Sequence, residues 1–312
     1  MNHPLNVAFI FPGHGSQFVG MGKDVYESFP EARNVFDVAD ATLGFSISRL
    51  CFEGPEEELC QPFNVQPALV AFSMAMLAVM RRSPTYAHPS YAAGHSLGEY
   101  AALAASGMIG VSDAIMLARQ RGQLMYNAGL QKPGIAVTII GLEDEVVIAI
   151  AKEAGVYVAN YNYPGQVVIS GAPDHIKKAI GLANAHGARK IVPIAGSVAF
   201  HSPFMQPAAE GLAQAIAKIR FHDPLFHVIG NASASPITLK VLSDELTQQI
   251  FQPVLWKQSI FYLLSQDIDF FVEIGPGNVL SNIMKRIDEH VHTTNIKDSY
   301  TLSNYLCKGF AS

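Results

Sequence analysis

The stretch "YAAGHSLGEYAAL", residues 91–103, joins a short apolar lead to a serine framed by glycines, and then to helix-forming residues. The frame is G-x-S-x-G: Gly94, His95, Ser96, Leu97, Gly98. Between a strand and a helix, such glycines permit a sharp, strained turn that pushes the serine hydroxyl out at the carboxyl edge of a sheet. The following helix aims its first N–H groups at the same spot, where an oxyanion would form. Read this way, the stretch predicts an α/β fold with Ser96 as nucleophile. The competing reading is a glycine-rich turn with a capping serine.

The flanking sequence decides for the first reading. A buried strand is expected over 6–11, ending in the turn "PGHGS", and helices over 66–80 and 112–128. Ser112 reads as the N-cap of the second helix, with Gly129 just past its end. The helix after Ser96 closes at Gly107. Downstream, Ser202 and Pro203 form an N-cap and N1 pair for a helix running to about residue 219. A strand over 225–229, helices around 239–250 and 256–265, a strand over 270–274 and a last helix over 279–289 complete the chain. This alternation predicts a parallel sheet covered on both faces, an α/β-hydrolase-like core.

The rhythm changes in the middle. Strands over 135–141, 156–160, 166–170 and 189–194 enclose helices over 143–154 and 174–186, closed by Gly155 and Gly187. The order βαββαβ is that of a ferredoxin-like unit. A small ferredoxin-like subdomain at 130–195 is therefore expected as an insertion into a large subdomain made of 1–129 and 196–312.

With 312 residues, 49% of them hydrophobic and only 15% charged, the chain can bury a large core, which excludes a disordered protein. A net charge of −5 argues against nucleic acid or an anionic membrane surface as partner. Cys51, Cys60 and Cys307 are odd in number and widely spaced, without metal-ligand spacing. They are expected to be reduced thiols of a cytoplasmic protein, and no metal is expected. The beginning, "MNHPLNVAFIFPGHGSQ", has neither a basic segment nor a long apolar run, so no signal peptide is expected. The apolar segment 67–80 is too short to span a bilayer and reads as a buried helix.

A serine hydroxyl needs a base, usually histidine. His95 adjoins Ser96, but neighbouring side chains diverge on a tight elbow. His3, His88, His175, His186 and His290 fall in termini, loops or polar helix faces, where solvation is expected. His201 precedes a helix N-cap in an apolar stretch, at the return from the insertion to the main sheet. Such crossings are where α/β proteins place active-site loops, so His201 is the candidate base.

Further segments occur in order along essentially the whole chain: "FIFPGHGSQFVGMG", "GHSLGEYAAL", "RGQLM", "NYNYPGQVVISG", "FHSPFM", "QPVLW" and "EIGPGNVL". Together they resemble the malonyl-CoA:acyl carrier protein transacylases and the related acyltransferases of polyketide synthases. The resemblance implies that Ser96 carries the acyl group, that His201 is its base, and that the backbone carbonyl of Gln249 orients the imidazole in place of an acidic residue. On that reading the Gln249 side chain matters less than its backbone position. Arg121, opening "RGQLM", would hold the free carboxylate of a malonyl group, while Arg119 is expected to be structural. The oxyanion hole would be the backbone N–H groups of Leu97 and His14. The family pattern at the latter is "GQGSQ", so His14 is a departure that puts a titratable ring near the nucleophile, and a small pH effect near neutrality is expected. Asn160 and Asn162 are expected to line the cleft, with Tyr163 standing where small residues are common. Phe200, in "VAFH", would narrow the pocket at the α-carbon and favour malonyl.

The implied reaction is ping-pong transfer from malonyl-CoA to the phosphopantetheine thiol of an acyl carrier protein, with no permanently bound cofactor. Lys177, Lys178, Arg189 and Lys190 are candidates for docking the acidic carrier, although a solvated face explains them equally well. An acyl hydrolase of the same fold, or a non-catalytic carrier-docking module, are the alternatives; Arg121 speaks against the first and the intact Ser96, His201 and Arg121 against the second.

Overall fold

The structure is a computed structural model that describes residues 6–84, 86–194 and 198–309. The chain opens with β1 (Val7–Phe11) and the helices α1 (Lys23–Ser28), α2 (Pro30–Leu43), α3 (Ile47–Glu53), α4 (Glu56–Leu59) and α5 (Pro62–Met80). Then come β2 (Tyr91–Gly94), α6 (Gly98–Ala105), α7 (Val111–Gln131), β3 (Ile135–Ile140), α8 (Asp144–Ala154), β4 (Tyr157–Tyr163), β5 (Gln166–Gly171), α9 (Pro173–Ala185) and β6 (Lys190–Pro193). A 3-10 turn over Pro203–Met205 leads into α10 (Gln206–Ile216), β7 (His227–Ile229), α11 (Leu242–Gln249) and α12 (Trp256–Ser265). The chain ends with β8 (Phe270–Ile274), α13 (Val279–Ile287), β9 (His292–Ile296) and α14 (Ser299–Lys308).

The main sheet is parallel throughout, in the order β7-β2-β1-β8-β9. Every residue of β1, VAFIF, is buried, as a central strand covered on both faces requires. The second sheet is antiparallel, in the order β4-β5-β3-β6. It carries its own core, including Val137, Ile139, Val147 and Ile169, so the expected βαββαβ order stands. Strand β4 pairs with the segment that leads into α12: Tyr161 N–H donates to the Val254 carbonyl (2.9 Å) and Val254 N–H to the Ala159 carbonyl (2.8 Å). An ion pair between Lys257 on α12 and Asp144 on α8 ties the same seam.

The structure corrects several expectations. Helix α7 starts at Val111 with Gly110 as N-cap, and Gly129 lies inside it rather than beyond it. A Cβ at 129 would meet Val198 Cγ1 at 2.4 Å, so this glycine serves close packing and not chain termination. The expected division after residue 129 thus falls in the last turn of α7, while the one after 195 lies outside the described residues, as does His3. Helix α5 begins five residues before Pro67, and over its 19 residues it is apolar enough to cross a membrane. It is a core helix because 89% of it is buried in the fold, not because it is short. Val279–Ile287 is not the last helix, since β9 and α14 follow, and α1–α4 lie where no helix is expected, although α2 buries Ala32, Val35, Phe36 and Ala39 at helical spacing. Strand β4 continues to Tyr163, with register shifts after Val158 and Tyr161 that the alternation pattern conceals.

Helices α5 and α7 lie in close contact beside the elbow. A Cβ at Gly122 would sit 2.2 Å from the Pro62 carbonyl oxygen, so only glycine allows this approach. Gly122→Ala should part the two helices and destabilise the fold by about 1–3 kcal/mol, read as a lowered urea midpoint with unchanged slope. A midpoint equal to that of the parent protein would show that the contact relaxes freely.

Candidate active site

Ser96 sits between β2 and α6 with φ +51°, a left-handed conformation rare for a residue with a side chain. The glycines around it are sterically required. A Cβ at Gly94 would lie 1.9 Å from the Gly98 carbonyl carbon, and one at Gly98 2.0 Å from the Phe11 carbonyl oxygen. The elbow is thus pressed against the end of β1. Ser96 Oγ lies 2.8 Å from His201 Nε2. His201 also has a positive φ, +50°, in a loop fixed by Ser170 Oγ–H donating to the Phe200 carbonyl (2.7 Å) and Ser202 Oγ–H to the Ala199 carbonyl (2.7 Å). His201 Nδ1 is 2.8 Å from the Gln249 carbonyl oxygen. A carbonyl only accepts, so Nδ1 carries the proton and Nε2 is the lone pair facing Ser96. Burial, aided by the Arg121 charge, lowers the His201 pKa to about 3.

Arg121 is the second centre of the site. It is 1% exposed, not a surface residue of α7. Its Nη2 donates to Ser96 Oγ (3.0 Å) and to Gln249 Oε1 (3.0 Å), and Nη1 donates to Gln66 Oε1 (2.8 Å). Its Nε–H has no hydrogen-bond partner among the described residues. All its partners are neutral, and among the described residues no carboxylate lies within ion-pair distance of it. Arg119 is structural, as expected: it donates to the Phe63 carbonyl, to which Pro67, having no N–H, cannot donate, and to Asn64. Its guanidinium stacks 4.9 Å from both Phe45 and Phe63.

These groups surround a cavity of about 260 Å³. His14, Leu97, Asn160, Asn162 and Phe200 all line it. The N–H groups of His14 and Leu97 have no acceptor among the described residues. The His14 ring stands 6.2 Å from that of Phe200 at the cavity mouth. His14 is exposed at its surface; desolvation by the protein packed around its ring and the Arg121 charge both lower its pKa, a direction that moves any effect of its titration from neutrality toward the acid side. Asn162 is engaged on both sides, by His95 Nε2 (3.0 Å) and by Gln166, to which it donates (3.0 Å). His95 itself points away from Ser96, against Trp256. Of the remaining expected histidines, His88, His175, His186 and His290 are exposed.

Four features escape sequence reasoning. Gln66 and Glu99 are polar residues within apolar helical runs, and that contrast was the signal available. The Gln249 side chain is not incidental: besides holding Arg121, its Nε2 donates to the Ser96 carbonyl (2.7 Å). Asn231, in the loop after β7, contacts both sides of the elbow, and no local pattern announces it.

A parallel sheet with a strained serine turn and a histidine within hydrogen-bond reach is the architecture of α/β-hydrolase-like acyl-transfer proteins. Residues 8–302 match the acyl transferase domain family, and the chain belongs to that family. It is 40% identical over 302 residues to the malonyl CoA-acyl carrier protein transacylase of Bacillus subtilis (strain 168), covering 95% of each chain. It is 39% identical over 285 residues to the protein of the same name from Escherichia coli (strain K12), covering 90% of this chain and 92% of that one. Among solved structures, a type II polyketide synthase acyl-carrier protein in complex with its malonyl-transacylase matches with a TM-score of 0.92 at 36% identity, over 96% of this chain and 98% of that one.

The lowered pKa of His201 has two consequences. The acid limb of kcat/KM for acylation should lie far below 6.5, and Arg121→Gln should move it upward by removing a repelling charge. Because the unfolded chain binds the proton more readily, stability present above pH 6.5 is lost as the pH falls toward 3. Urea titrations and pH–rate profiles check both; a limb centred near 6.5 would contradict the assignment.

Proposed function

We propose that the protein transfers a malonyl group from malonyl-CoA, through an acyl-enzyme at Ser96, to the phosphopantetheine thiol of an acyl carrier protein, in fatty acid or polyketide synthesis. The observation that carries this reading is Arg121, a buried cation with only neutral partners, 3.0 Å from Ser96 Oγ. A malonyl ester on Ser96 brings a carboxylate within its reach: Nε–H is open to it, and Nη2 completes a bidentate fork once its contact with Ser96 Oγ is given up on acylation. An acetyl group would leave the guanidinium uncompensated.

The chemistry follows from the geometry. His201 Nε2 takes the Ser96 proton as Oγ attacks the thioester carbonyl, and the Leu97 and His14 N–H groups hold the oxyanion. The C–S bond breaks, and the proton on Nε2 passes to the departing CoA sulfur. The carrier's thiol then repeats the sequence: it gives its proton to His201 Nε2 and attacks the ester carbonyl, the C–O bond to Ser96 breaks, and Ser96 Oγ takes that proton back. Asn160, Asn162 and Phe200 shape the pocket around the acyl group. No permanently bound cofactor takes part in these steps. For the carrier, Lys177, Arg189 and Lys190 offer exposed positive charge on the small subdomain, whereas Lys178 is tied to Glu153. Thiol chemistry of this kind suits the cytoplasm, where we place the protein.

Incubation with malonyl-CoA followed by intact-mass measurement tests the reading. A malonyl adduct at Ser96 that discharges onto carrier protein is expected; discharge to water instead would make the protein a hydrolase, and absence of an adduct would sink both. Arg121→Ala should lower malonyl acylation on the order of 10- to 100-fold, without lowering acylation by acetyl-CoA.

A further inference from the structure

The Ser96 elbow is held from below by a residue that none of the steps above uses. Asn231 is 3% exposed, and each of its four polar groups is engaged. Its Oδ1 accepts from Ser96 N–H (2.6 Å) and its Nδ2 donates to the Gly94 carbonyl (2.6 Å), so one carboxamide spans the turn. Its backbone N–H donates to Glu99 Oε2 (2.7 Å), and its carbonyl accepts from Leu255 N–H (2.9 Å). Glu99 is fully buried on the first turn of α6, and its Oε1 has no hydrogen-bond partner among the described residues. Next along the chain, Ala232 N–H donates to Glu245 Oε1 (2.6 Å). Asn231 thereby ties the end of β2, the start of α6 and the start of α12 to a single point beneath the serine.

Peptide planarity makes this tie consequential. The Ser96 carbonyl and the Leu97 N–H share one plane and point in opposite directions. The Gln249 amide pulls that carbonyl one way, and so aims Leu97 N–H the other way, toward the cavity. The preceding plane ends in Ser96 N–H, which Asn231 holds. With both planes fixed, the left-handed Ser96 cannot relax to ordinary backbone, and Oγ stays on His201 Nε2.

We propose that Asn231, seated by Glu99, is the positioning residue of the nucleophile: it maintains the strained turn that presents Ser96 Oγ and Leu97 N–H to the acyl carbon. The inference rests on the acyl-enzyme reading above. It predicts an effect on the chemical step and not on recognition of the malonyl carboxylate, because Arg121 is held by Gln66 and Gln249 instead.

Single-turnover acylation of the full chain by malonyl-CoA, followed by intact mass, provides the test, with thermal melts giving the folded fraction. In Asn231→Ala the maximal acylation rate should fall on the order of 100-fold, the loss that a small misplacement of reacting groups produces, with half-saturation within about twofold of the parent. Asn231→Asp keeps an acceptor for Ser96 N–H but sets a carboxylate oxygen against the Gly94 carbonyl, so it should lose nearly as much. A residue that merely filled space would be replaced well by Asp. Glu99→Gln, which still accepts the Asn231 N–H, should recover most of the rate that Glu99→Ala loses. Where Asn231→Ala does not fold, Asn231→Asp decides. Any folded Asn231 variant that acylates at the parental rate per folded molecule overturns the proposal, as does a loss confined to half-saturation. Labelling of Ser96 by a sulfonyl fluoride separates the two readings. If the parent takes no malonyl group but labels faster than Asn231→Asp, the malonyl reading fails and the positioning role stands.

Discussion

Burying the Arg121 guanidinium without a carboxylate is the constraint on which the rest of the site depends. An isolated charge in the interior is costly unless polar groups surround it. Here they are Gln66 Oε1, Gln249 Oε1 and Ser96 Oγ. Among the described residues no carboxylate forms an ion pair with it: Glu99, whose charge reaches the arginine, lies beyond that distance, and burial and the Glu245 carboxylate push the Glu99 carboxyl well above the usual carboxylate range. The cation therefore acts outward, on whatever occupies the cavity, and sideways, on the imidazoles. It contributes to the lowered pKa of both His201 and His14. The same charge that suits an anionic acyl group thus keeps the base in its proton-accepting form.

The sequence makes the reactive groups legible and leaves their supports hidden, for a physical reason. Ser96 is visible because its turn needs glycines at fixed offsets, and glycine is a strong local signal. His201 and Gln249 become visible through the order of motifs, and Trp256–Ser265 and Phe270–Ile274 are bounded by residues that mark their ends. Gln66, Asn231 and the Gln249 side chain act through contacts across more than fifty residues of chain. No local periodicity encodes such contacts. The helix end expected at Gly129 fails for a related reason: that glycine is dictated by the neighbouring Val198 side chain, as Gly122 is by the Pro62 backbone, and not by the end of the helix in which both lie. Of the helices before Pro62, α1, α3 and α4 are seven residues or shorter, too short to establish a period, whereas α2 buries Ala32, Val35, Phe36 and Ala39 at the i, i+3, i+4, i+7 spacing of a helix.

Ser96 and His201 are hydrogen-bonded to each other while both occupy left-handed backbone. Each such residue costs about 1–2 kcal/mol relative to ordinary backbone, so the pair is stable only where the surroundings over-determine it. Gln249 is where those surroundings converge. Its carbonyl sets the His201 tautomer, its Nε2 grips the Ser96 carbonyl, and its Oε1 receives Arg121. His201, Ser96 and Arg121 are consequently referred to one residue at the end of α11, and a displacement of that helix end moves all three together. A backbone carbonyl from any residue at this position would orient the imidazole. Only a side-chain carboxamide of this length, with a donor at one corner and an acceptor at the other, also aligns the serine with the cation. The identity of residue 249 is therefore set by its side chain, although its contact with the base is made by its backbone.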